Sequence, residues 1–429
     1  MRTFRNDTID ETYYVETLKN GLTVYLMPKR EFYKSYAIFS TKYGSQDLVF
    51  TPIDTRNSIT TPEGIAHFLE HKLFEEEDGT DASNLFAELG ADVNAFTTAS
   101  QTAYLFSTTS DLDACVSLLL DFVQRPHFTK KGVDKERGII EQELLMYLDQ
   151  PQSVQYFGIL KAMYIKNNIR NEIGGTVETI QQINEELLYR CYHTFYHPQN
   201  MVLALVGNFD EKHMIEWIEE NQSKKVFEPF KPIERTYYLE NEQVAQKDVY
   251  IQMDVTIPKV AIGIKLPHEA LSSYEMLKRT LAFEMIMDIY FDESTCYYED
   301  LLQRGIINNS FAYDIYYEKN YGHLLWYLDT QTPEQFIDEI SKSIHMIHDK
   351  AIEEADFNRF KRLYQARNIK RFNSLEYIAN LMVEFEHNDL ELFDLLRSAD
   401  EISLADVEAV RKYFVEEAKA TFTIYPAQK

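Results

Sequence analysis

The order of strand and helix signals occurs twice along this chain, and this repetition constrains the fold more than any other feature. The first half ends in a continuous apolar run, Met201–Gly207, and the second ends in a similar strand pattern at residues 420–425. An offset of about 219 residues superposes the two runs and places Phe195 on Phe414. A repeat of this size predicts two copies of one α+β domain.

One segment between the halves has the features of a linker. Residues 223–245 contain Pro229, Pro232 and many charges, without a clean period of either helix or strand. We therefore predict an N-terminal domain at residues 1–222 and a homologous C-terminal domain at residues 246–429.

The charge and the cysteines exclude several classes of protein. The formal net charge of −26 argues against nucleic acid or an anionic membrane as main partner, since both attract cationic surfaces. It is compatible with attraction of basic peptides, or simply with a solubilising surface. No signal peptide and no membrane-spanning run is recognisable, and three distant cysteines predict reduced thiols. These features together predict a cytoplasmic protein.

The segment from Gly64 to Phe74 carries the sharpest chemical signal, His-x-x-Glu-His. A helix that begins near Pro62 would place His67, Glu70 and His71 on one face. Two imidazoles one turn apart can reach a single cation, and Glu70 beside them can hold a metal-bound water. The alternative is that the same residues are polar groups on a solvated helix face, because the motif is short.

A second helical segment offers a further ligand. Glu136, Ile140, Glu143 and Tyr147 share one stripe of this helix. Its carboxylates could simply lie at the wet edge of the helix. A catalytic zinc site needs a third protein ligand, however, and we predict Glu143 for that position. Glu136, two turns earlier, could orient a ligand from outside the coordination sphere.

The run HFLEHKLF, followed by DKERGIIEQE, resembles the pitrilysin/insulinase (M16) family of peptidases. The resemblance implies one Zn²⁺ ion per chain, bound by His67, His71 and Glu143. It also implies that Glu70 is the catalytic base and that Glu136 is the carboxylate behind the ligands.

Further matches cover the first half of the chain. LKNGLTVYL, GGTVETI and the run YHPQNMVLALVGNFD resemble the family's opening strand, a helix start and the final strand of its first domain. Asn94, Ala95, Phe96 and Thr97 resemble its substrate-binding edge strand, although an ordinary internal strand would have the same pattern. The family's fold implies two homologous α/β-roll domains, each with a mixed, mostly antiparallel sheet and helices on one face. Together they would form a bowl-shaped half of a clamshell.

The second half departs from the family pattern. Active members supply an Arg and, seven residues later, a Tyr that stabilise the reacting carbonyl. Tyr313 matches this Tyr, but Arg304 lies nine residues before it and Ile306 stands at the expected position. Tyr313 is therefore either a catalytic group or a plain strand aromatic. The resemblance implies a heterodimer with a zinc-less paralogue that supplies the Arg/Tyr pair, with a homodimer as the alternative.

The motif and the resemblance together imply a zinc-dependent endopeptidase, and the resemblance implies that it cleaves short, unstructured peptides. Peptide processing, leader-peptide removal and oligopeptide degradation all remain open as its task. A non-catalytic structural subunit of a heterodimer is the main alternative, and the intact His67, Glu70, His71 and Glu143 argue against it. A metal-dependent hydrolase of small molecules is a third reading, against which the peptide-binding strand argues.

Overall fold

The structure, a computed structural model, describes residues 1–427. The strands are β1 (Arg2–Asn6), β2 (Glu11–Thr17), β3 (Thr23–Pro28), β4 (Ser35–Thr41), β5 (Val49–Phe50), β6 (Ile59–Thr60), β7 (Asp92–Thr97), β8 (Thr102–Thr108), β9 (Met201–Gly207), β10 (Asp248–Met253), β11 (Lys259–Lys265), β12 (Ala312–Tyr317), β13 (Gly322–Asp329) and β14 (Lys419–Pro426). The helices are α1 (Ile65–Leu73), α2 (Ala82–Glu88), α3 (Leu112–Val123), α4 (Lys130–Leu148), α5 (Pro151–Met163), α6 (Val177–Ile180), α7 (Glu185–Phe195), α8 (Glu211–Ser223), α9 (Ser273–Phe291), α10 (Cys296–Gln303), α11 (Pro333–Asp349), α12 (Glu354–Arg371), α13 (Leu375–His387), α14 (Asp394–Glu401) and α15 (Leu404–Val410). No helix within residues 1–427 is both long and apolar enough to cross a bilayer.

Two mixed sheets confirm the predicted α+β fold class and show the repeat directly. The first has the order β1-β2-β3-β9-β4-β8-β7 and the second the order β10-β14-β11-β13-β12. The last five strands of the first sheet have the same arrangement as the second sheet. In each, the first pair of the five is parallel, β3 with β9 and β10 with β14, and the remaining pairs are antiparallel.

The chain forms two compact units that are not continuous in sequence. Unit 1 contains residues 1–144, 172–236 and 369–393, and unit 2 contains the remaining described residues. Unit 1 therefore includes α13 from the second half of the chain, and unit 2 includes α5 from the first half. The sequence did not predict this exchange of helices, and the boundary at residues 223–245 stays a prediction.

The core of unit 1 lies between the first sheet and the helices α1, α3, α7 and α8, whose apolar side chains form one cluster with the sheet. The opposite face of the sheet is also covered, by α13. Three side-chain hydrogen bonds join them: Tyr25 to Glu386 (2.5 Å), Asn380 to Tyr36 (3.1 Å), and Ser40 with His387 (3.1 Å). Every residue of β4 and β9 is buried, as is typical of strands covered on both faces. Helices thus cover both faces of this sheet and not the one face that was expected.

Unit 2 has the same organisation. Its core lies on one face of the second sheet, against α9 and α11. The helix α5 lies against β11 and β14, and Gly158 permits this packing. A Cβ atom at position 158 would lie 2.3 Å from Cζ of Phe422, so only glycine allows the approach.

Replacing His387 by Gln is expected to reduce the loss of stability in mild acid. Burial, followed by the positive charges of Lys42 and Arg235, lowers the pKa of His387 to about 3. The unfolded chain therefore takes up a proton near pH 6.5 that the folded chain does not, and stability is lost as the pH falls from 6.5 toward 3. Between pH 6.5 and pH 5 this histidine should cost about 2 kcal/mol.

Urea unfolding at pH 7 and pH 5 measures this difference. The wild type should lose about 2 kcal/mol more than the His387→Gln variant over that interval. His345→Gln is the matched control, because His345 is exposed. An equal pH dependence in wild type and His387→Gln would show that His387 takes up its proton in the folded state.

Candidate metal centre

The helix α1 begins at Ile65, three residues later than the sequence predicts. Gly64 ends the preceding segment in the left-handed region, with φ of +88°. A Cβ atom at Gly64 would lie 2.1 Å from the carbonyl oxygen of Gly174, so a loop packs tightly against the start of the helix. The helix also has an apolar face, whose members are buried in the core of unit 1: Ile65, Phe68, Leu69 and Leu73.

His67, His71 and Glu143 come together in unit 1, with one candidate ligand atom from each within 4.8 Å of the others. Nε2 of His71 lies 3.5 Å from Oε2 of Glu143, and Nε2 of His67 lies 3.8 Å from Oε1 of the same carboxylate. The two imidazole rings are 4.5 Å apart between centroids. The helix α1 thus supplies two nitrogen donors, and α4 supplies a carboxylate that faces both.

Glu136 fixes the orientation of one of these imidazoles. Its Oε1 lies 3.1 Å from Nδ1 of His71, which leaves Nε2 of the ring toward Glu143. Burial lowers the pKa of His71, but the hydrogen bond with Glu136 and the nearby carboxylates Glu70, Glu136 and Glu143 outweigh it, so the pKa is raised. A carboxylate behind a histidine ligand also makes that histidine a better donor to a metal.

His67 has a different environment. Burial, and secondly the charge of His71, lowers the pKa of His67 to about 3, so its imidazole is neutral and ready to bind a metal near neutral pH. Its Nδ1 is buried and has no hydrogen-bond partner within residues 1–427. His67 therefore lacks the outer partner that Glu136 provides for His71.

This donor set fits a zinc ion. Two histidine nitrogens and one carboxylate, with space for water or substrate, form the usual set of protein ligands in a hydrolytic zinc site. The neutral His67 supports this assignment, as does the carboxylate behind His71, because bound metals require deprotonated ligands and commonly have such partners.

Glu70 lies between the two histidines in sequence and is only 7% exposed. Its Oε2 accepts a hydrogen bond of 2.6 Å from the hydroxyl of Thr97 on β7. Burial raises the pKa of Glu70, while the Thr97 hydrogen bond and the charge of His71 act against this rise. A carboxyl group whose pKa is shifted toward neutrality is suited to accept and return a proton. The sequence did not predict this contact between Thr97 and Glu70.

A groove of about 430 Å³ opens beside Glu70 and His71. Phe74, Val93, Ala95 and Ile139 provide its apolar lining, and further carboxylates and Lys135 lie along it. The strand β7 is the last strand of its sheet, where Asn94 is exposed and Phe96 half-buried. This edge position is suited to pairing with an extended peptide, and the binding role of Asn94, Ala95, Phe96 and Thr97 stays a prediction.

Tyr313 and Arg304 belong to unit 2, where both are engaged by carboxylates. The hydroxyl of Tyr313 donates to Asp288 at 2.7 Å, and burial followed by the charge of Asp288 raises its pKa. Its ring packs against the core of unit 2. Arg304 binds Glu339 through both terminal nitrogens, at 3.0 and 2.8 Å, and also binds Asp300. The catalytic role of Tyr313 stays a prediction.

Sequence reasoning missed Lys72, which is fully buried directly after the histidine pair. Its ammonium group pairs with Glu75, and both groups lie next to Gly132 near the start of α4. Around the helix, Lys72 falls on the apolar face, between Ile65 and Phe68. A charged residue on an apolar face is the signal that could have revealed this position, because a buried charge needs a partner. Lys72 thereby connects the helix that carries the histidines to the helix that carries Glu143.

Replacing Glu136 by Gln is expected to weaken zinc binding about 10- to 100-fold, because His71 loses the charged acceptor behind it. Competition with a chromophoric zinc chelator measures the affinity. Lys135→Gln, a change at the adjacent residue, is the control and should leave the affinity within about twofold, since Lys135 is exposed and is not one of the candidate ligands. Equal zinc affinities of Glu136→Gln and wild type would contradict the role of Glu136.

The helix pair with two histidines, an intervening glutamate and a distant glutamate defines the inverted His-x-x-Glu-His class of metallopeptidase site. Comparisons with known proteins agree with this class. Residues 56–177 match the family described as Insulinase (Peptidase family M16), and residues 182–364 match the Peptidase M16 inactive domain. The chain belongs to the M16 family of peptidases.

Individual relatives support the same conclusion. The "uncharacterized zinc protease YmfH" of Bacillus subtilis (strain 168) is 41% identical over 405 residues, which cover 94% of each chain. A crystallised M16-like peptidase from Alicyclobacillus acidocaldarius is 32% identical with a TM-score of 0.93, covering 97% of this chain and 98% of that one. A Helicobacter pylori protease has the same fold, with a TM-score of 0.81 at 18% identity over 97% of this chain and all of that one.

Proposed function

We propose that this chain is a zinc-dependent endopeptidase that cleaves short, unstructured peptides. The observation that carries the proposal is the convergence of His67, His71 and Glu143, with ligand atoms within 4.8 Å of one another, beside the buried Glu70. The adjoining groove and the edge position of β7 support an extended peptide as the substrate.

The residues of the chain have distinct tasks in this reaction. A zinc ion held by His67, His71 and Glu143 would lower the pKa of a bound water and polarise the scissile carbonyl. Glu70 accepts the proton of the attacking water at its carboxylate and returns it to the leaving amine. Thr97 holds this carboxylate in place through its hydroxyl. Glu136 holds the ring of His71.

Chelator-sensitive cleavage of an internally quenched peptide tests the proposal. The purified chain, alone or together with a partner subunit, should cleave unstructured peptides, lose this activity with a zinc chelator, and regain it when Zn²⁺ is restored. A folded protein of the same sequence composition should resist cleavage. Activity that persists without metal, or hydrolysis of small esters but of no peptide, would contradict the proposed function.

A non-catalytic subunit is the second candidate, and the state of Arg304 and Tyr313 is the observation that favours it. Both side chains are bound by carboxylates of unit 2, so each would have to leave its carboxylate in order to stabilise a reacting carbonyl. We propose that a zinc-less paralogue supplies this Arg/Tyr pair in a heterodimer. In such a heterodimer, this chain would contribute the metal ligands and the partner would contribute the groups that stabilise the reacting carbonyl.

Mixing the chain with its zinc-less paralogue tests this arrangement. Activity should appear or rise in the mixture, and both chains should elute together in size-exclusion chromatography. Full activity of the chain alone, as monomer or homodimer, would contradict the need for a paralogue. Inactivity of the mixture despite bound zinc would favour the non-catalytic candidate.

A further inference from the structure

The face of the unit 2 sheet that lies opposite its core carries a carboxylate surrounded by tyrosines. Along β12, the residues Tyr313, Ile315 and Tyr317 pack against the core. Because side chains alternate along a strand, Asp314 and Tyr316 lie on the opposite face. This is a different place in the fold from the metal centre, which belongs to unit 1.

Three tyrosines from three elements lie near Asp314. Tyr316 lies two residues further along the same strand. The ring centroid of Tyr156, on α5, lies 6.4 Å from the ring centroid of Tyr316. Tyr327 on β13 pairs with Ala312, which makes it the diagonal neighbour of Asp314 on the same face. Burial is the main cause of the raised pKa of all three phenols, and the charge of Asp314 adds to it. All three hydroxyl-bearing rings are therefore near this carboxylate.

Two polar groups of this cluster have no partner within residues 1–427. Asp314 is exposed and makes no hydrogen bond or ion pair there, and its partial burial raises the pKa of its carboxyl. The hydroxyl of Tyr327 is buried and likewise without a hydrogen-bond partner. Buried polar groups in folded proteins are normally satisfied, so the Tyr327 hydroxyl indicates a water or a ligand, and the unpaired carboxylate of Asp314 is accessible to the same ligand.

The chemistry of the cluster selects the charge of the ligand. Carboxylate and phenol oxygens accept hydrogen bonds, and the faces of aromatic rings attract cations. Asp314 is exposed, so a ligand can approach its carboxylate from solvent. An ammonium or guanidinium group can donate to Asp314 and Tyr327 while it contacts the rings of Tyr156 and Tyr316.

We propose that Asp314, Tyr156, Tyr316 and Tyr327 form a binding site for an organic cation, an ammonium or guanidinium group carried by a peptide. The site needs no metal, so it stands independently of the proposed zinc chemistry. The strongly negative chain, with a formal net charge of −26, further favours cationic ligands.

Binding of rhodamine-labelled peptides, measured by fluorescence anisotropy on the full-length protein, tests the site. One unstructured ten-residue peptide is prepared with an acetylated N-terminus and a single Lys, Arg or norleucine, and also with norleucine and a free N-terminus. At least one cationic peptide should bind about tenfold more tightly than the neutral norleucine peptide. The peptide that binds best identifies the source of the cation as a lysine, an arginine or a chain N-terminus.

Variants locate the binding. Asp314→Asn should abolish the preference for the cationic peptide, whereas Asp254→Asn, which removes the same charge at another exposed position of unit 2, should retain it. Tyr327→Phe leaves the net charge unchanged and should weaken binding of the cationic peptide about fivefold. Since Asp314 has no protein partner to lose, Asp314→Asn should fold normally, which circular dichroism verifies.

The outcome separates this site from the metal centre. Binding should be the same before and after treatment with a zinc chelator, even if the chain proves to have no peptidase activity. Equal affinities of the cationic and neutral peptides for the wild type would overturn the proposal. A loss of preference that is as large in Asp254→Asn as in Asp314→Asn would also overturn it, because it would reflect only the overall charge.

Discussion

Replacing Glu70 by Gln is expected to lower peptide hydrolysis about 10²- to 10⁴-fold while zinc stays bound, the range expected for loss of a general base. Glutamine has nearly the same shape as glutamate but cannot accept a proton from the attacking water. The change leaves the candidate ligands His67, His71 and Glu143 intact. Its amide can still bond with Thr97, so the local structure should persist.

Two measurements on the same preparation are needed: the rate of cleavage of a quenched peptide, and the zinc content by elemental analysis. Glu77→Gln, a change at an exposed glutamate six residues after His71, serves as the control and should retain activity and metal. If Glu70→Gln cleaves peptides at the wild-type rate, another group is the base. If it loses zinc, Glu70 is a ligand and its assigned role is wrong.

Replacing Glu143 by Gln is expected to weaken zinc binding more than about 100-fold, beyond the effect of outer-sphere partners such as Glu136. A neutral amide oxygen is a poorer ligand for Zn²⁺ than a carboxylate, and the remaining imidazoles of His67 and His71 do not complete the three-ligand set. The variant should therefore lose peptidase activity together with its metal.

Zinc content after dialysis against a weak chelator measures this loss. Glu141→Gln is the matched control, since Glu141 lies on the same helix but, at about 100° per residue, on nearly the opposite side from Glu143. The control should retain zinc. An unchanged zinc content in Glu143→Gln would exclude Glu143 as a ligand and would leave Glu136 as the carboxylate to test next.

Much of the metal centre could be predicted because its pattern is local. The spacing of His67 and His71 places both on one helix face, whatever the rest of the chain does, because helical periodicity depends only on neighbouring residues. The choice of Glu143 over Glu136 came from the need for a third ligand and from the family resemblance. The structure brings Glu143 near both Nε2 atoms and Glu136 only near Nδ1 of His71.

Other features could not be predicted because they depend on contacts between distant parts of the chain. The hydrogen bond from Thr97 to Glu70 and the approach of Gly174 to the start of α1 leave no periodic trace in the sequence. The position of α13 could not be predicted either. Its apolar periodicity predicts a buried helix but does not specify which sheet the helix covers.

The sequence by itself determined the repeated α+β architecture, the two histidines and glutamate on one helix, and the candidate carboxylates on a second. Each of these follows from a period of two or 3.6 residues, or from a short motif, and periods and motifs are properties of neighbouring residues. Only the tertiary structure decided that α5 and α13 each join the unit of the other half, that Glu70 is buried against Thr97, and that Asp314 lies unpaired among tyrosines. These are outcomes of packing, in which residues distant in sequence remove one another from water, and one-dimensional patterns do not encode such partners.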